Sequence, residues 1–366
     1  MMAAFSDVFA DVTKQGTKLQ TSEYLASGKY PIIDQGQDDI AGYTDRENGL
    51  FTDVPAIIFG DHTRIIKYVD MPFFLGADGV KVLKATIPNV DCRYLYYAVS
   101  AVKIPNTGYN RHFKWLKEAQ IPLPDISTQR RIADTLDKVA EGIGLCRKML
   151  GELDLMVKAK FVEMFGTLPA NELGWSTGTI RDCVTEVRYG SSRKAAEGDK
   201  GQYPYLRMNN ITYDGELDLT DIKSIDIPDD ELDKCSVRRG DVLFNRTNSR
   251  ELVGKTCVYN RDELMVLAGF VVRVRANERM LPEFLSAFMN STFTKRLLLS
   301  MCKTAIGQAN INAQEFQNIE IYIPPITLQR EFVDLKEQID KSKLTVQRIR
   351  DKMEMEKLAL MQEYFG

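Results

Sequence analysis

Apolar positions between residues 126 and 166 recur with a period near 3.5. They fall at Ile132, Leu136, Val139, Ile143, Cys146, Leu150, Leu153, Val157 and Phe161, the heptad spacing of a helix with a partner along one face. Pro124 stops the strand-like segment before it, Asp125 and Ser127 are placed to cap its start, and Gly166 with Pro169 beyond ends it. Gly142, Gly144 and Gly151 lie inside, each costing up to about 1 kcal/mol relative to alanine, so this helix needs packing to persist. A second stripe, Phe332, Leu335, Ile339, Val346, Ile349, Met353 and Leu360, supplies the partner, with interruptions at Ser342 and Glu356. About 40 helical residues span on the order of 60 Å. The two stripes predict a rod of paired helices.

Both helices open on nearly the same phrase. IPLPDISTQR begins at Ile121 and IYIPPITLQR at Ile321, and the helices close on EMFG from Glu163 and EYFG from Glu363. Pro124 answers Pro324, Gln129 answers Gln329, and Arg130 answers Arg330. The stretches between have β-type runs instead of helical periodicity: Pro55 to Gly60, Asp241 to Phe244, Gly269 to Val274 and Ile319 to Ile323. Asn48-Gly49, Asp78-Gly79 and Asp214-Gly215 mark turns, and helices are expected at Arg93 to Val102 and Pro282 to Leu299. These stretches echo each other as well. KYPII from Lys29 answers QYPYL from Gln202, AIIFGDHTR from Ala56 answers DVLFNRTNS from Asp241, and TGYNRHFKWL from Thr107 answers AIGQANINAQEF from Ala305. The chain thus reads as a tandem duplication: globular 1–122, helix 123–166, globular 167–324, helix 325–366.

At 366 residues two or three domains are expected. The longest apolar runs are too short to cross a bilayer, and the first residues lack the basic and apolar regions of a secretory signal, so a cytoplasmic protein without membrane association is expected. The net charge is −3, but charge is segregated. Asp214 to Asp233 holds nine acids against Lys223 alone, whereas Lys103 to Lys117 and Arg238 to Arg261 are basic. Segregation of this kind fits one face for an anionic partner. Solvated surface explains each run equally well.

Positive signs of catalysis are missing. Gly254-Lys255-Thr256 resembles the end of a phosphate loop, but position 249 is Ser where the pattern needs Gly. No methyltransferase motif, nuclease-type acidic cluster or nucleophile–histidine arrangement stands out. The six cysteines have no C-x-x-C spacing, and His62 and His112 are the only histidines, which argues for reduced, mostly buried thiols and against zinc.

The duplicated phrase, its Gln129-Arg130 and Gln329-Arg330 pairs, the two Phe-Gly endings, GDVLFNRTNSRELVGKT from Gly240 and GQANINAQEFQNIEIYIP from Gly307 together resemble the specificity subunit of type I restriction–modification enzymes over essentially the full chain. The resemblance implies an α+β protein: two β-rich target recognition domains, separated by two long helices packed as an antiparallel coiled coil, with an internal pseudo-twofold repeat. It implies that each domain reads one half of a bipartite target in double-stranded DNA. It implies docking of two methyltransferase subunits and of restriction subunits, in a complex using S-adenosylmethionine, ATP and Mg. This chain itself would hold no cofactor or metal and would catalyse nothing. A coiled-coil adaptor with two protein-binding modules is the alternative reading of the same layout; an enzyme in its own right is another.

Base edges are read by donors and acceptors on loops, Arg at guanine and Asn or Gln at adenine. Candidates in the first globular region are Gln35, Tyr43, His62, Arg64, Tyr109, Asn110, Arg111 and His112. In the second they are Tyr189, Ser191, Ser192, Arg193, Lys194, Arg246, Asn248, Gln308 and Asn310. Arg111, Lys194 and Arg246 would equally serve as phosphate clamps, and the Asn and Gly residues as turn formers. The repeated Gln129, Arg130 and Phe165, with Gln329, Arg330 and Phe365, are the candidates for partner docking.

Overall fold

The computed structural model describes residues 1–76, 78–108, 110–302 and 309–366, with Asp199 by its backbone alone. The chain divides into two compact units, Met1–Arg147 with Arg348–Gly366, and Lys148–Gln347. These units do not follow the boundaries expected from the sequence. Each contains half of each long helix, Ile126–Phe165 and Ile326–Phe365.

The two units repeat one topology. In the first, Phe9–Asp11, Val80–Ala85, Ala56–Gly60 and Ile66–Val69 form an antiparallel sheet in that order. In the second, Val184–Tyr189, Val271–Ala276, Val242–Asn245 and Thr256–Val258 do the same. The central strands AIIFG and VLFN are buried at every position, which is why they read as continuous apolar runs instead of alternating ones. The echo pair Tyr30–Ile33 and Tyr203–Leu206 each pair antiparallel on one side and parallel on the other. Met2–Ala4 pairs with Gln120–Pro122, as Thr177–Thr179 pairs with Glu320–Tyr322. Helix Cys92–Ser100 has its counterpart in Pro282–Asn290. The single helix expected to Leu299 is instead broken at Ser291, whose backbone is extended and whose hydroxyl caps Thr292–Met301 by accepting from Thr294 N.

Inside each unit the halves of the long helices run antiparallel. In the first, Gly142 faces Met353, while Ile132 and Leu136 pack with Leu360 and Met361. In the second, Asp154 faces Lys343 and Phe161 meets Phe332. A Cβ on Gly142 would lie 2.1 Å from Met353 Cε, so this glycine makes room for close approach; Gly144 and Gly151 face open space. Of the two expected caps, Asp125 is the one used: its carboxylate accepts from Thr128 N at 3.0 Å. The Ser127 and Thr128 hydroxyls and that N–H hold its carboxyl well below the usual carboxylate range.

The second stripe differs from its expectation. Ile349 is 48% exposed, and the seam alternates Ile339, Val346, Met353 and Leu360 with Lys343, Arg350, Lys357 and Tyr364. Lys343 is buried and pairs with Asp154 at 2.7 Å and with Glu216. Long basic chains bury their stems along an apolar seam and keep their heads paired, so the interruptions at Ser342 and Glu356 simply lie off the seam.

The repeated glutamine is structural. Gln129 Oε1 accepts from Asp91 N at 3.0 Å and Nε2 donates to Pro124 O at 2.8 Å. Gln329 Oε1 accepts from Leu281 N at 2.8 Å, and Nε2 donates to the carbonyls of Arg279 and Pro324, both at 2.9 Å. Each amide ties the start of a long helix to the start of a domain helix. Gln329→Ala strands buried backbone groups and is expected to cost the second unit about 2 kcal/mol. The neighbouring exposed Arg330 should cost less than about 0.5 kcal/mol on truncation. Denaturant midpoints of the two variants check this; equal midpoints would remove the role given to the amide.

Candidate functional site

A cleft in the second unit gathers Ser191, Ser192, Arg193, Lys194, Arg207, Asn209 and Arg246 against Tyr205 and Phe270, with no acid among the described residues of its lining. Arg246 follows the buried strand Val242–Asn245 and is fixed at both ends of its peptide unit. Its N–H donates to Phe270 O at 3.0 Å and its carbonyl accepts from Ile311 N at 2.9 Å. The guanidinium carbon sits 4.8 Å from the centroid of the Tyr189 ring, and Tyr189 is held by its hydroxyl, which accepts from Ala313 N at 3.0 Å. Arg246 Nη1 makes only a long contact with Gly269 O at 3.4 Å. The Nε atoms of Arg246 and Arg207 are buried without a hydrogen-bond partner among the described residues, while Arg207 Nη2 pairs with Asp221 at 2.8 Å. Leaving a buried donor unsatisfied costs on the order of 1–3 kcal/mol, a cost that a ligand's acceptors would remove.

The other candidates in this unit divide clearly. Lys194 and Ser192 are exposed, and Arg193 pairs with Glu231 at 2.7 Å. Ser191 is buried, its hydroxyl accepting from Arg193 N at 3.1 Å and its backbone bridging to Ala268. Asn248 has its amide occupied by Asn245 Oδ1 and Ser249 N. Asn310 is exposed, and its side-chain oxygen accepts from the Thr247 hydroxyl at 2.8 Å. Gln308 lies outside the described residues, as does Tyr109 of the first unit.

Loops of the first unit bring together Gln35, His62, Arg64 and His112, largely as builders. Gln35 donates to Asp78 O at 3.0 Å and accepts from His62 N at 3.1 Å, and its carbonyl accepts from the Thr63 hydroxyl at 2.7 Å. Arg64 adopts φ of +63° and donates to Ile104 O at 3.3 Å. His112 is buried, with Nδ1 3.0 Å from Asp61 O, while Asp61 Oδ1 accepts from Phe113 N at 2.8 Å. His112 therefore fixes a loop and is not presented to a ligand. Asn110 and Arg111 are exposed, with the Asn110 amide donating to Thr107 O. Tyr43 stands apart on strand Gly42–Thr44, opposite Pro31. Where the second unit has Arg246, the aligned first-unit phrase has buried Asp61, so the two loops cannot present the same chemistry.

Three docking candidates also turn inward. Gln129, Gln329 and Phe165 are buried, the last 4.8 Å from Phe284 and 5.6 Å from Phe332 between ring centroids. Phe365 is partly buried, with its ring 5.5 Å from that of Tyr94. Arg130 and Arg330 are exposed. Arg207 and Asn209 escaped the sequence reading, although Arg207 directly follows the half-buried strand Tyr203–Leu206 as Arg246 follows Val242–Asn245.

Among the described residues no group of His, Cys, Asp and Glu could hold a metal ion, and no helix is long and apolar enough to cross a membrane. The six cysteines are free. Burial pushes the Cys257 thiol up to about 12 and the Cys183 thiol up to about 11, opposite to the shift of a nucleophilic cysteine.

Residues 4–154 and 172–355 match the family model described as the type I restriction modification DNA specificity domain. The type I restriction enzyme EcoKI specificity subunit of Escherichia coli K12 is 24% identical over 234 residues, covering 60% of this chain and 50% of that protein. The chain spans about half the length of the first curated relatives it matches. The crystal structure of the type I restriction-modification system S subunit from M. genitalium superimposes with a TM-score of 0.60 at 16% identity, covering all of this chain and 96% of that one. A chain from a structural study of complex assembly and conformational transition of the type I R-M system gives 0.56 at 17%, covering all of this chain and 97% of that one. At these identities the two structures bear on the fold.

Proposed function

This chain belongs to the family of type I restriction-modification DNA specificity domains, and on that footing we propose that it is the DNA-recognition subunit of a type I restriction–modification complex. The observation that carries the reading is the cleft, whose described lining has no acid, in which the Nε atoms of Arg207 and Arg246 are buried donors without a partner among the described residues, while Arg207 Nη2 pairs with Asp221 at 2.8 Å. Backbone-held arginine on a loop after a rigid strand is the arrangement that reads guanine or grips phosphate. The two units share one topology but differ at the corresponding loop, which fits two domains, 1–122 and 167–324, reading different halves of a bipartite target. The long helices, 123–166 and 325–366, join the domains and dock the methyltransferase subunits, two in number, and the restriction subunits. Exposed Leu145 and Met355 in the first unit, and Leu155 in the second, with Arg130 and Arg330, offer side chains for that docking now that the paired glutamines and Phe165 are assigned inside. The chain itself catalyses nothing; S-adenosylmethionine, ATP and Mg act on the other subunits, in the cytoplasm.

Two measurements test this. Duplex of random sequence should bind at low salt and release as salt rises; salt-insensitive or absent binding favours the adaptor reading. Exchanging residues 167–324 for the corresponding region of a relative should change one half of the methylated motif in the host genome and leave the other. A change in both halves would contradict independent reading.

A further inference from the structure

We infer that a second basic pocket of the second unit, formed by Lys158, Arg250, Lys295 and Arg296, is a seat for a phosphate of the DNA backbone, separate from the cleft around Arg246. This rests on the reading of the chain as a DNA-binding subunit. The pocket is built by helix Thr292–Met301, which brings Thr292, Lys295, Arg296 and Leu299 to one side, and by the connection from Thr247–Asn248 to Thr256–Val258. Residues at i, i+3, i+4 and i+7 share a helix face, so the cations are gathered by geometry and not by chance proximity along the chain.

The charge is unbalanced. Among the described residues Glu251 is the only acid in the lining, and its carboxylate is drawn to its own backbone N–H and the Ser249 hydroxyl. Lys158 is answered by Asp214 at 2.9 Å. Among the described residues neither Arg250 nor Arg296 has an ion pair. Lys295 is partly buried; its ammonium donates to Gly254 O at 2.9 Å and lies 5.3 Å from the centroid of the half-exposed Tyr213 ring. Burial first, then the charges of Lys255 and Lys158, push its pKa down to about 8 against the opposing charge of Asp214. A partly buried cation held beside other cations is favoured by a bound anion, and Tyr213 with Leu299 gives an apolar wall of the kind a sugar covers.

The connection also explains why the anion is that of DNA. Arg246 stands at its start in the cleft and Arg250 four residues on in the pocket. Four residues of extended chain reach at most about 14 Å, so the backbone positions of Arg246 and Arg250 lie within about four base-pair steps of one another at about 3.4 Å each. Pairing of Thr247 with Asn310 and of Asn248 with Ala309 holds the connection. A phosphate in the seat would thus set the register at which Arg246 meets a base.

The test measures dissociation constants across a salt series for the full chain in its complex, with one duplex carrying the methylated motif and one lacking it. Lys295→Met keeps the aliphatic stem; Arg250→Gln, at an exposed position, guards against a folding defect. Each variant should weaken binding to both duplexes by the same factor, about three- to tenfold at 0.15 M salt, and lower the slope of log affinity against log salt by roughly 0.9. The methylated motif should stay the same. Loss confined to the motif duplex, or slopes equal to wild type in both variants, would overturn the seat. So would ATP or inorganic phosphate binding that needs Lys295 while duplex binding does not. If the wild-type complex showed no salt-sensitive binding to either duplex, the DNA-binding reading itself would fall and the seat with it.

Discussion

Arg246→Ala is expected to relax recognition at one position of one half-site, with a loss of about 1–3 kcal/mol in discrimination there. The guanidinium lies over the Tyr189 ring, its backbone is hydrogen-bonded on both sides, and its Nε has no partner among the described residues. A planar donor set held this way suits two acceptors on one base edge. Arg246→Lys should fail almost as badly, because an ammonium offers neither the fork nor the stacking plane. Tyr189→Phe should be milder: it keeps the ring and loses only the bond from Ala313 N. Methylation of a duplex library, read by sequencing, separates the outcomes. A motif degenerate at one position supports base reading. Uniform weakening across all sequences would make Arg246 a phosphate contact instead.

The duplication was legible because its strongest signals are backbone signals. Pro124 and Pro324 stop strands, and Gly166, at φ of +73°, ends the first helix. Such requirements survive when surfaces diverge. Buried strands were legible for a similar reason, since full burial favours apolar residues, as at Ala56–Gly60 and Val242–Phe244. The seam of the second long helix was not. Lys343, Arg350 and Lys357 count as polar in any pattern of single residues, yet each lays a long stem along the seam. Lys343 becomes legible only with its acids, and one of these, Glu216, is 127 positions away. The glutamines misled in the opposite direction. A polar residue repeated on a duplicated helix looks like a docking contact, but the acceptors and donors that bury Gln129 and Gln329 lie as far as 38 and 50 positions off. His112 belongs to the same class, because nothing local announces that Asp61 encloses it. In the cleft the signal for Arg207 was present in the sequence and followed the rule that found Arg246.

The largest change in site preference should come from lengthening both long helices together. Four residues inserted between Arg147 and Lys148, and four between Gln347 and Arg348, add one turn where each helix passes from one compact unit to the other. Packing within each unit is left alone: Gly142 against Met353 and Arg147 with Glu354 at 3.1 Å in the first, Asp154 with Lys343 at 2.7 Å and Phe161 against Phe332 in the second. The insertion adds about 6 Å and about 40° of rotation. If the helices set the spacing, the methylated target should keep both half-sequences while its unread gap grows by one or two base pairs, at about 3.4 Å each. The original site should then be methylated poorly or not at all. Inserting in one helix alone puts the seam out of register and should abolish activity with loss of helical signal. The double insertion should retain that signal in circular dichroism. A folded double variant that methylates the old gap, or that changes its bases without changing its gap, would show that spacing is set elsewhere. A folded double variant with no target at any gap would equally count against the helices as the ruler, because its recognition loops and its packing within each unit are those of the parent chain.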